Sequence, residues 1–256
     1  MTPLLLAALC GAFSGLSLGL IGGGGSVLAV PMLIYVVGLP VHLAIGTSAL
    51  AVAVSAAVNL ATHARCGHVR WRTAGLFALA GAVGAYGGST MGKAFDGGHL
   101  LFLFGLVMMT VALLMARRRA TAGRKGECFS SLCLVRLGGT GAAVGGLAGF
   151  FGIGGGFLVV PGLVFSTGMP MVEAIGSSLL SVGAFGLTTA ANYALSRLVD
   201  WPVAAAFIGG GFVGGLAGVA AARSLADRRG ALNLVYALMV FGVGVYVAAR
   251  NLPPLG

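Results

Sequence analysis

The sequence predicts an all-α polytopic membrane protein made of two homologous halves. Of its 256 residues, 58% are hydrophobic and 8% are charged, whereas an ordinary soluble domain carries about 25% charged residues. Apolar stretches of about 18 residues, long enough to cross a bilayer as a helix, recur along the chain. A glycine-rich motif also occurs twice with similar neighbours. We therefore expect the protein to be embedded in a lipid bilayer.

Ten apolar segments follow one another along the chain. They fall at 3–20, 26–38, 42–63, 71–92, 98–116, 134–151, 156–167, 171–195, 202–222 and 230–249. The first has no Lys or Arg before it, so we interpret it as a membrane helix and not a signal peptide. Two segments, 26–38 and 156–167, are short. We expect eight long spans plus two short or re-entrant segments, with four or five segments in each half.

A tandem duplication divides the chain near its middle. An offset of 130 aligns residues 22–50 with 152–180 without gaps, and 14 of the 29 positions are identical. This predicts a first membrane repeat at 1–116, a basic linker at 117–133 and a second repeat at 134–256. Repeats of this size are typical of transporters that bind substrate at the repeat interface. Substrate is therefore expected between the halves.

The relative orientation of the repeats stays open at this point. The positive-inside rule places 11 of 15 basic residues in the cytoplasm if the repeats are parallel and 12 of 15 if they are inverted. Helix length favours a doubled-back path, since 36 residues of helix would measure about 54 Å against a hydrocarbon core of about 30 Å. Either arrangement leaves the basic linker cytoplasmic.

Several classes of function find no support in the residues. The formal charge is +10, and the basic residues lie between apolar segments, as residues that set membrane topology do. No nucleic-acid partner is therefore expected. Cys128 and Cys133 have no second pair or nearby histidines, so neither a metal site nor another cofactor is expected. The serines lack the base that would activate a nucleophile, and the sequence contains neither a carboxylate pair nor a phosphate-binding loop. We therefore expect that the protein is not an enzyme.

The glycine motif is the first candidate substrate site. Four successive glycines, Gly22–Gly25, should prevent a regular helix, and Ser26 can cap the short helix that follows. The N-terminus of such a helix offers unpaired N–H groups and about half a positive charge, which favours an anion. The candidate residues are Gly23, Gly24, Gly25 and Ser26, and in the second half Gly154, Gly155 and Gly156. Alternatively, the glycines only permit close helix crossings.

Polar side chains on the next helix of each half are the second candidate. Ser48 and Asn59, with Ser55 between them, share one helical face, and Ser178, Thr188 and Asn192, with Ser181, form a similar face in the second half. Their hydroxyl and amide groups could donate to sulfonate or carboxylate oxygens, or could bond neighbouring helices. Glu173 and His63, near helix ends, are candidates for proton coupling.

These motifs together resemble the sulfite exporter TauE/SafE family, also called the toluene sulfonate uptake permease family. The resemblance covers about residues 11–250. It is carried by Gly22–Gly25 with Pro31, Gly46-Thr47-Ser48, their counterparts Gly154–Gly156 with Pro161 and Gly176-Ser177-Ser178, and the Arg-rich loop between the halves. It adds Thr47 and Ser177 to the candidate binding residues. It implies an inner-membrane transporter of sulfur-containing anions such as sulfite, sulfoacetate or other organosulfonates, often directed outward.

The sequence thus predicts a secondary transporter that exports a small sulfur-containing anion held between two Gly-broken helices. The alternatives are an uncoupled anion channel, an uptake permease for sulfate, thiosulfate or a sulfonate, and a membrane-embedded scaffold. The identity of the anion, the direction, the coupling ion and the oligomeric state stay open, with a homodimer as one option.

Overall fold

Every regular element in the computed structural model is a helix within the residues it describes, which are 3–21, 25–65, 67, 69–117, 131–224 and 229–251. The helices are α1 (Pro3–Ile21), a 3-10 turn (Gly25–Leu28) leading into α2 (Ala29–Tyr35), α3 (Val41–Arg65), α4 (Trp71–Ala94), α5 (Gly97–Arg117), α6 (Ser131–Phe151), α7 (Gly156–Thr167), α8 (Met171–Leu195), α9 (Trp201–Ser224) and α10 (Arg229–Arg250). Each of the ten predicted apolar segments overlaps one of these α-helices. The linker residues 118–130 lie outside the described residues.

The helical membrane class is confirmed. Four helical stretches in the described residues are long and apolar enough to cross a bilayer: Val41–Arg65, Leu134–Phe151, Glu173–Leu195 and Trp201–Gly218. Large apolar side chains also project outward, such as Leu79 and Val83 on α4 and Val213 on α9, which are 71%, 76% and 67% exposed. Such a surface is suited to lipid and would be costly in water.

Two helix pairs, α1 with α9 and α4 with α6, are held in backbone contact by glycine. A Cβ on Gly15 would lie 2.0 Å from the carbonyl oxygen of Gly211, and one on Gly88 would lie 2.0 Å from that of Gly146. Only glycine fits at these crossings, which is how small residues allow close packing in lipid. One turn before Gly15, Gly11 meets Phe207, so residue numbers rise together and α1 is parallel to α9. The same holds for α4 and α6.

The central pair, α3 and α8, runs antiparallel. A Cβ on Gly46, near the start of α3, would meet Tyr193 near the end of α8, whereas Gly186 lies against Ala53 nearer the middle of both helices. Hydroxyl groups are buried along this pair, and its charged residues lie near the helix ends. The pair is therefore the polar centre of an otherwise apolar molecule.

The pair α5 and α10 also runs antiparallel. Gly105 contacts Ala248, and Gly244, one turn earlier on α10, contacts Met108. The helices α3 and α8 occupy the same place in the two predicted repeats, and so do α5 and α10. Helices in equivalent places therefore point in opposite directions, an orientation that the basic-residue count had left undecided.

The two short helices double back. Helix α4 is parallel to α8, because Gly81 meets Phe185 and, further along both helices, Ser89 meets Asn192. Since α6 is also parallel to α4, α6 and α8 point the same way, and α7 between them must return. Helix α3 is parallel to α9, because Thr47 meets Asp200 and Ser55, further along α3, meets Gly211. Since α1 is also parallel to α9, α1 and α3 point the same way, and the chain returns between them through α2. This is the path that helix length favoured.

Candidate functional site

Two of the predicted binding residues, Thr47 and Ser177, hold the ends of neighbouring helices. The Thr47 hydroxyl accepts a hydrogen bond of 3.0 Å from the backbone N–H of Asp200, and the Ser177 hydroxyl accepts one of 2.9 Å from that of Arg70. Asp200 and Arg70 each precede the first residue of a long helix, whose N–H groups lack helical partners. Each side chain therefore satisfies a backbone group belonging to the other half.

The serines beside them also bond to backbone. Ser48 Oγ lies 2.9 Å from the carbonyl oxygen of Ile45 and 3.1 Å from that of Gly152, and Ser178 Oγ lies 2.8 Å from that of Ile175. The Gly152 contact fastens α3 to the second glycine motif. Both hydroxyls are buried, and such bonds stabilise by about 1 kcal/mol each.

The second glycine motif is a sharp break between α6 and α7. Gly152, Gly154 and Gly155 have φ values of +67°, +65° and +73°, which side chains other than glycine rarely adopt. A Cβ on Gly154 would lie 2.5 Å from Val52, so the break is also tightly packed. Among the described residues, no acceptor pairs with the N–H of Gly154, Gly155, Gly156 or Phe157. The motif thus combines close packing with the free N–H groups of a helix start.

The first glycine motif is described from Gly25 onward, because Gly22, Gly23 and Gly24 lie outside the described residues. Gly25 opens the 3-10 turn, and Ser26 follows it. Ser26 is 2% exposed, and within the described part of the chain its hydroxyl has no hydrogen-bond partner. Burying a hydroxyl without a partner costs about 1–3 kcal/mol, so this side chain needs an explanation other than stability.

Ser26 lines a small cavity with two more serines, Ser14 of α1 and Ser55 of α3. Ser55 lies near the middle of α3, so the cavity is close to the centre of the helix bundle. The space open to the centre of a water-sized molecule is about 20 Å³, slightly more than the roughly 10–15 Å³ that one water needs. The cavity is therefore small in this conformation, and three serines are its only polar side chains.

Both ends of the chain contribute walls to this cavity. Gly11 and Gly15 of α1 face Gly211 of α9, and the apolar walls come from Leu179 and Val182 of α8 together with Ala51, Val52, Ala56 and Phe207. No charged side chain is among these lining residues. Motif and periodicity predicted Ser26 and the face containing Ser55 but not Ser14, whose only signal is a hydroxyl inside an apolar span.

The other predicted polar residues do not line this cavity. Asn59 donates to the carbonyl oxygen of Ser55 at 2.9 Å, and Thr188 donates to that of Ala184 at 2.8 Å. Each of these bonds lies within its own helix. A role for Asn59 and Thr188 in substrate binding stays a prediction that requires these side chains to exchange partners.

Asn192 belongs to a network that connects α8 to α4. Its amide nitrogen donates to Ser89 Oγ at 2.7 Å and to Thr90 Oγ1 at 3.0 Å, and its Oδ1 accepts from Lys93 Nζ at 2.9 Å. Lys93 also reaches the backbone oxygen of Asn192 and the hydroxyl of Ser196, at the C-terminal end of α8. A cation there is favourable because helix carbonyls carry partial negative charge. Sequence reasoning missed Lys93, since its partners are about a hundred residues away.

The two residues considered for proton coupling lie near helix ends. Glu173, in the first turn of α8, forms an ion pair with Arg70, whose side chain is 19% exposed against 32% for Glu173. His63 is half-buried in the last turn of α3. Among the described residues, no three His, Cys, Asp or Glu side chains lie close enough to hold a metal ion. A coupling role for either residue stays a prediction.

The fold and the cavity together define a polytopic helical membrane protein with a small cavity, apolar except for three serines, between helices from both parts of the chain. Membrane transporters place their substrate sites in this way. The family model described as Sulfite exporter TauE/SafE matches residues 7–247, and the chain belongs to this family.

Curated relatives carry names of the same class. A "Probable membrane transporter protein" of Xylella fastidiosa (strain Temecula1) is 51% identical over 244 residues, covering 94% of this chain and 93% of the relative. The protein YunE of Bacillus subtilis, with the same descriptive name, is 25% identical and covers 87% and 90%. The similarly named MJ0441 of Methanocaldococcus jannaschii is 29% identical and covers 74% and 70%. No solved structure is similar enough to count as a match.

Proposed function

We propose that the protein is a secondary transporter that exports small sulfur-containing anions, such as sulfite or an organosulfonate, across the inner membrane. The observation that carries this proposal is Ser26, whose buried hydroxyl lacks a partner in the described part of the chain and lines a cavity with Ser14 and Ser55. The family name supports sulfite and outward movement.

The chemistry of the cavity suits a small oxyanion. Sulfite and sulfonate groups each present three oxygens that accept hydrogen bonds, and the hydroxyls of Ser26 and Ser55 in the cavity can donate to them. Bonds from neutral donors to an ionised oxygen are about twice as strong as bonds between neutral groups. The cavity lies beside the start of the turn at Gly25.

The small volume of the cavity favours alternating access over a permanent channel. A space of about 20 Å³ holds about one water, so an anion larger than water enters only after the walls separate. We propose that two inverted repeats, with eight long spans and two re-entrant helices, rock against each other around the cavity. The antiparallel α3 and α8 supply walls from both repeats, which supports this mechanism. The basic linker then lies in the cytoplasm.

Flux into liposomes containing purified protein tests the proposal. Uphill movement of sulfite or isethionate, driven by an imposed proton or sodium gradient with the membrane potential clamped, is the expected result. Flux that only runs downhill would identify the uncoupled channel. Strict inward movement in oriented vesicles would identify the uptake permease. If no sulfur anion moves at all, while the protein is folded and inserted, the transport proposal is wrong.

A further inference from the structure

The duplication predicts a second cavity equivalent to the first. At the offset of 130, the three hydroxyl positions of the cavity have non-hydroxyl counterparts in the other half. The pairs are Ser14 with Val144, Ser26 with Gly156 and Ser55 with Phe185. The remaining walls correspond well, since Gly11 and Gly15 pair with Gly141 and Gly145, Val52 with Val182 and Phe207 with Phe77. The two positions therefore share most of their apolar walls but not the three hydroxyl groups.

Phe185 occupies the second position. Its side chain is fully buried, and its ring stacks on that of Phe77 with centroids 6.2 Å apart and planes inclined by 30°. A Cβ on Gly81 would lie 2.0 Å from the ring, and one on Gly155 would lie 3.6 Å from it. The ring therefore fills the space between α4, α8 and the second glycine motif. In the first half, the smaller Ser55 leaves this space open.

We infer that the duplicated chain has one functional anion cavity and that Phe185 closes its symmetry-related counterpart. That the open cavity holds an anion rests on the proposed function. The closure itself rests on the packing of Phe185. Exchanging serine for phenylalanine removes a donor and adds a ring, so one substitution eliminates both the space and the chemistry of a second site.

A buried serine lies beside Phe185 on α8. Ser181 lies one helical turn before Phe185, is fully buried, and has no hydrogen-bond partner for its hydroxyl among the described residues. Its counterpart, Ala51, lines the open cavity. These two positions are equivalent in the duplication and differ in whether open space adjoins them. They are therefore a matched pair for a chemical probe.

Thiol labelling tests the inference. In a chain whose Cys10, Cys66, Cys128 and Cys133 are replaced by alanine, Ala51→Cys and Ser181→Cys are introduced separately. Each variant, in proteoliposomes, is treated with a small anionic methanethiosulfonate reagent carrying a sulfonate group. We expect Ala51→Cys to react and Ser181→Cys to stay unlabelled. Adding Phe185→Ala to Ser181→Cys should make the thiol reactive.

The outcomes separate the inference from the proposed function. Equal labelling of both positions, whether both react or neither does, would overturn the inference. If Ser181→Cys stays unlabelled after Phe185→Ala in folded protein, Phe185 does not close the site. Phe185→Leu serves the same purpose if the alanine variant fails to fold. Protection of Ala51→Cys by methanesulfonate tests anion binding, and its failure counts against the proposed function alone.

Discussion

Ser26→Ala separates a binding role from a structural one. Its hydroxyl is buried without a partner in the described part of the chain, so folding gains nothing from a hydrogen bond there. Removing an unsatisfied buried hydroxyl leaves stability unchanged or raises it, because the cost of burying the group disappears. If the hydroxyl donates to the anion, however, the same substitution weakens binding. A substitution that only disturbs packing would change stability as well.

The expected size of the effect follows from the charge of the ligand. A hydrogen bond to a charged group contributes about 1.5–3 kcal/mol, and about 1.4 kcal/mol corresponds to a tenfold change in affinity, so Kd should rise roughly 10- to 150-fold. Calorimetric titration of the purified protein with sulfite or isethionate measures this change. Thermal unfolding of the same sample without anion measures stability.

Ser17→Ala is the matched control. Ser17 is a buried serine of α1 whose hydroxyl donates to the backbone oxygen of Phe13 at 3.0 Å, and it does not line the cavity. This variant should lower stability by up to about 1 kcal/mol and leave Kd unchanged. Unaltered anion affinity in Ser26→Ala, with normal folding, would refute the assignment of the cavity as the anion site.

Three further predictions test packing, the ion pair and anion charge. Gly88→Ala should destabilise the protein strongly, because its Cβ would lie 2.0 Å from the Gly146 oxygen, whereas Gly87→Ala faces open space and should be nearly neutral in detergent melting curves. Glu173→Gln or Arg70→Gln should each cost no more than about 1 kcal/mol, because the pair is partly exposed, and exchanging the two charges should restore thermal stability. In flux assays, singly charged isethionate should inhibit anion transport more strongly than doubly charged sulfoacetate. The lining has no charged side chain to offset the greater cost of desolvating a second charge. Equal competition would contradict this reading.

The polar face of each central helix shows how far sequence reasoning reached. Spacing placed Ser48 and Asn59 on one face of α3, and periodicity alone supports that. Periodicity could not identify the hydrogen-bond partners of these two residues. Ser48 donates to the carbonyl oxygen of Gly152, 104 residues away, whereas Asn59 donates to the carbonyl oxygen of Ser55 in its own helix. Residues that look equivalent along a helix therefore differ in role once neighbouring helices are in place.

The sequence by itself predicted the membrane class, the helical segments and the family, which are confirmed, and a duplication, which stays a prediction. It could do so because composition, hydrophobic length and repeated motifs are properties of contiguous residues. Only the tertiary structure decided that α3 and α8 run antiparallel, since nearly equal numbers of basic residues fit either orientation. It alone showed that Ser55 borders an open cavity, whereas the Phe185 ring fills the equivalent space in the other half. Both results depend on which distant helices meet, and local sequence does not encode that.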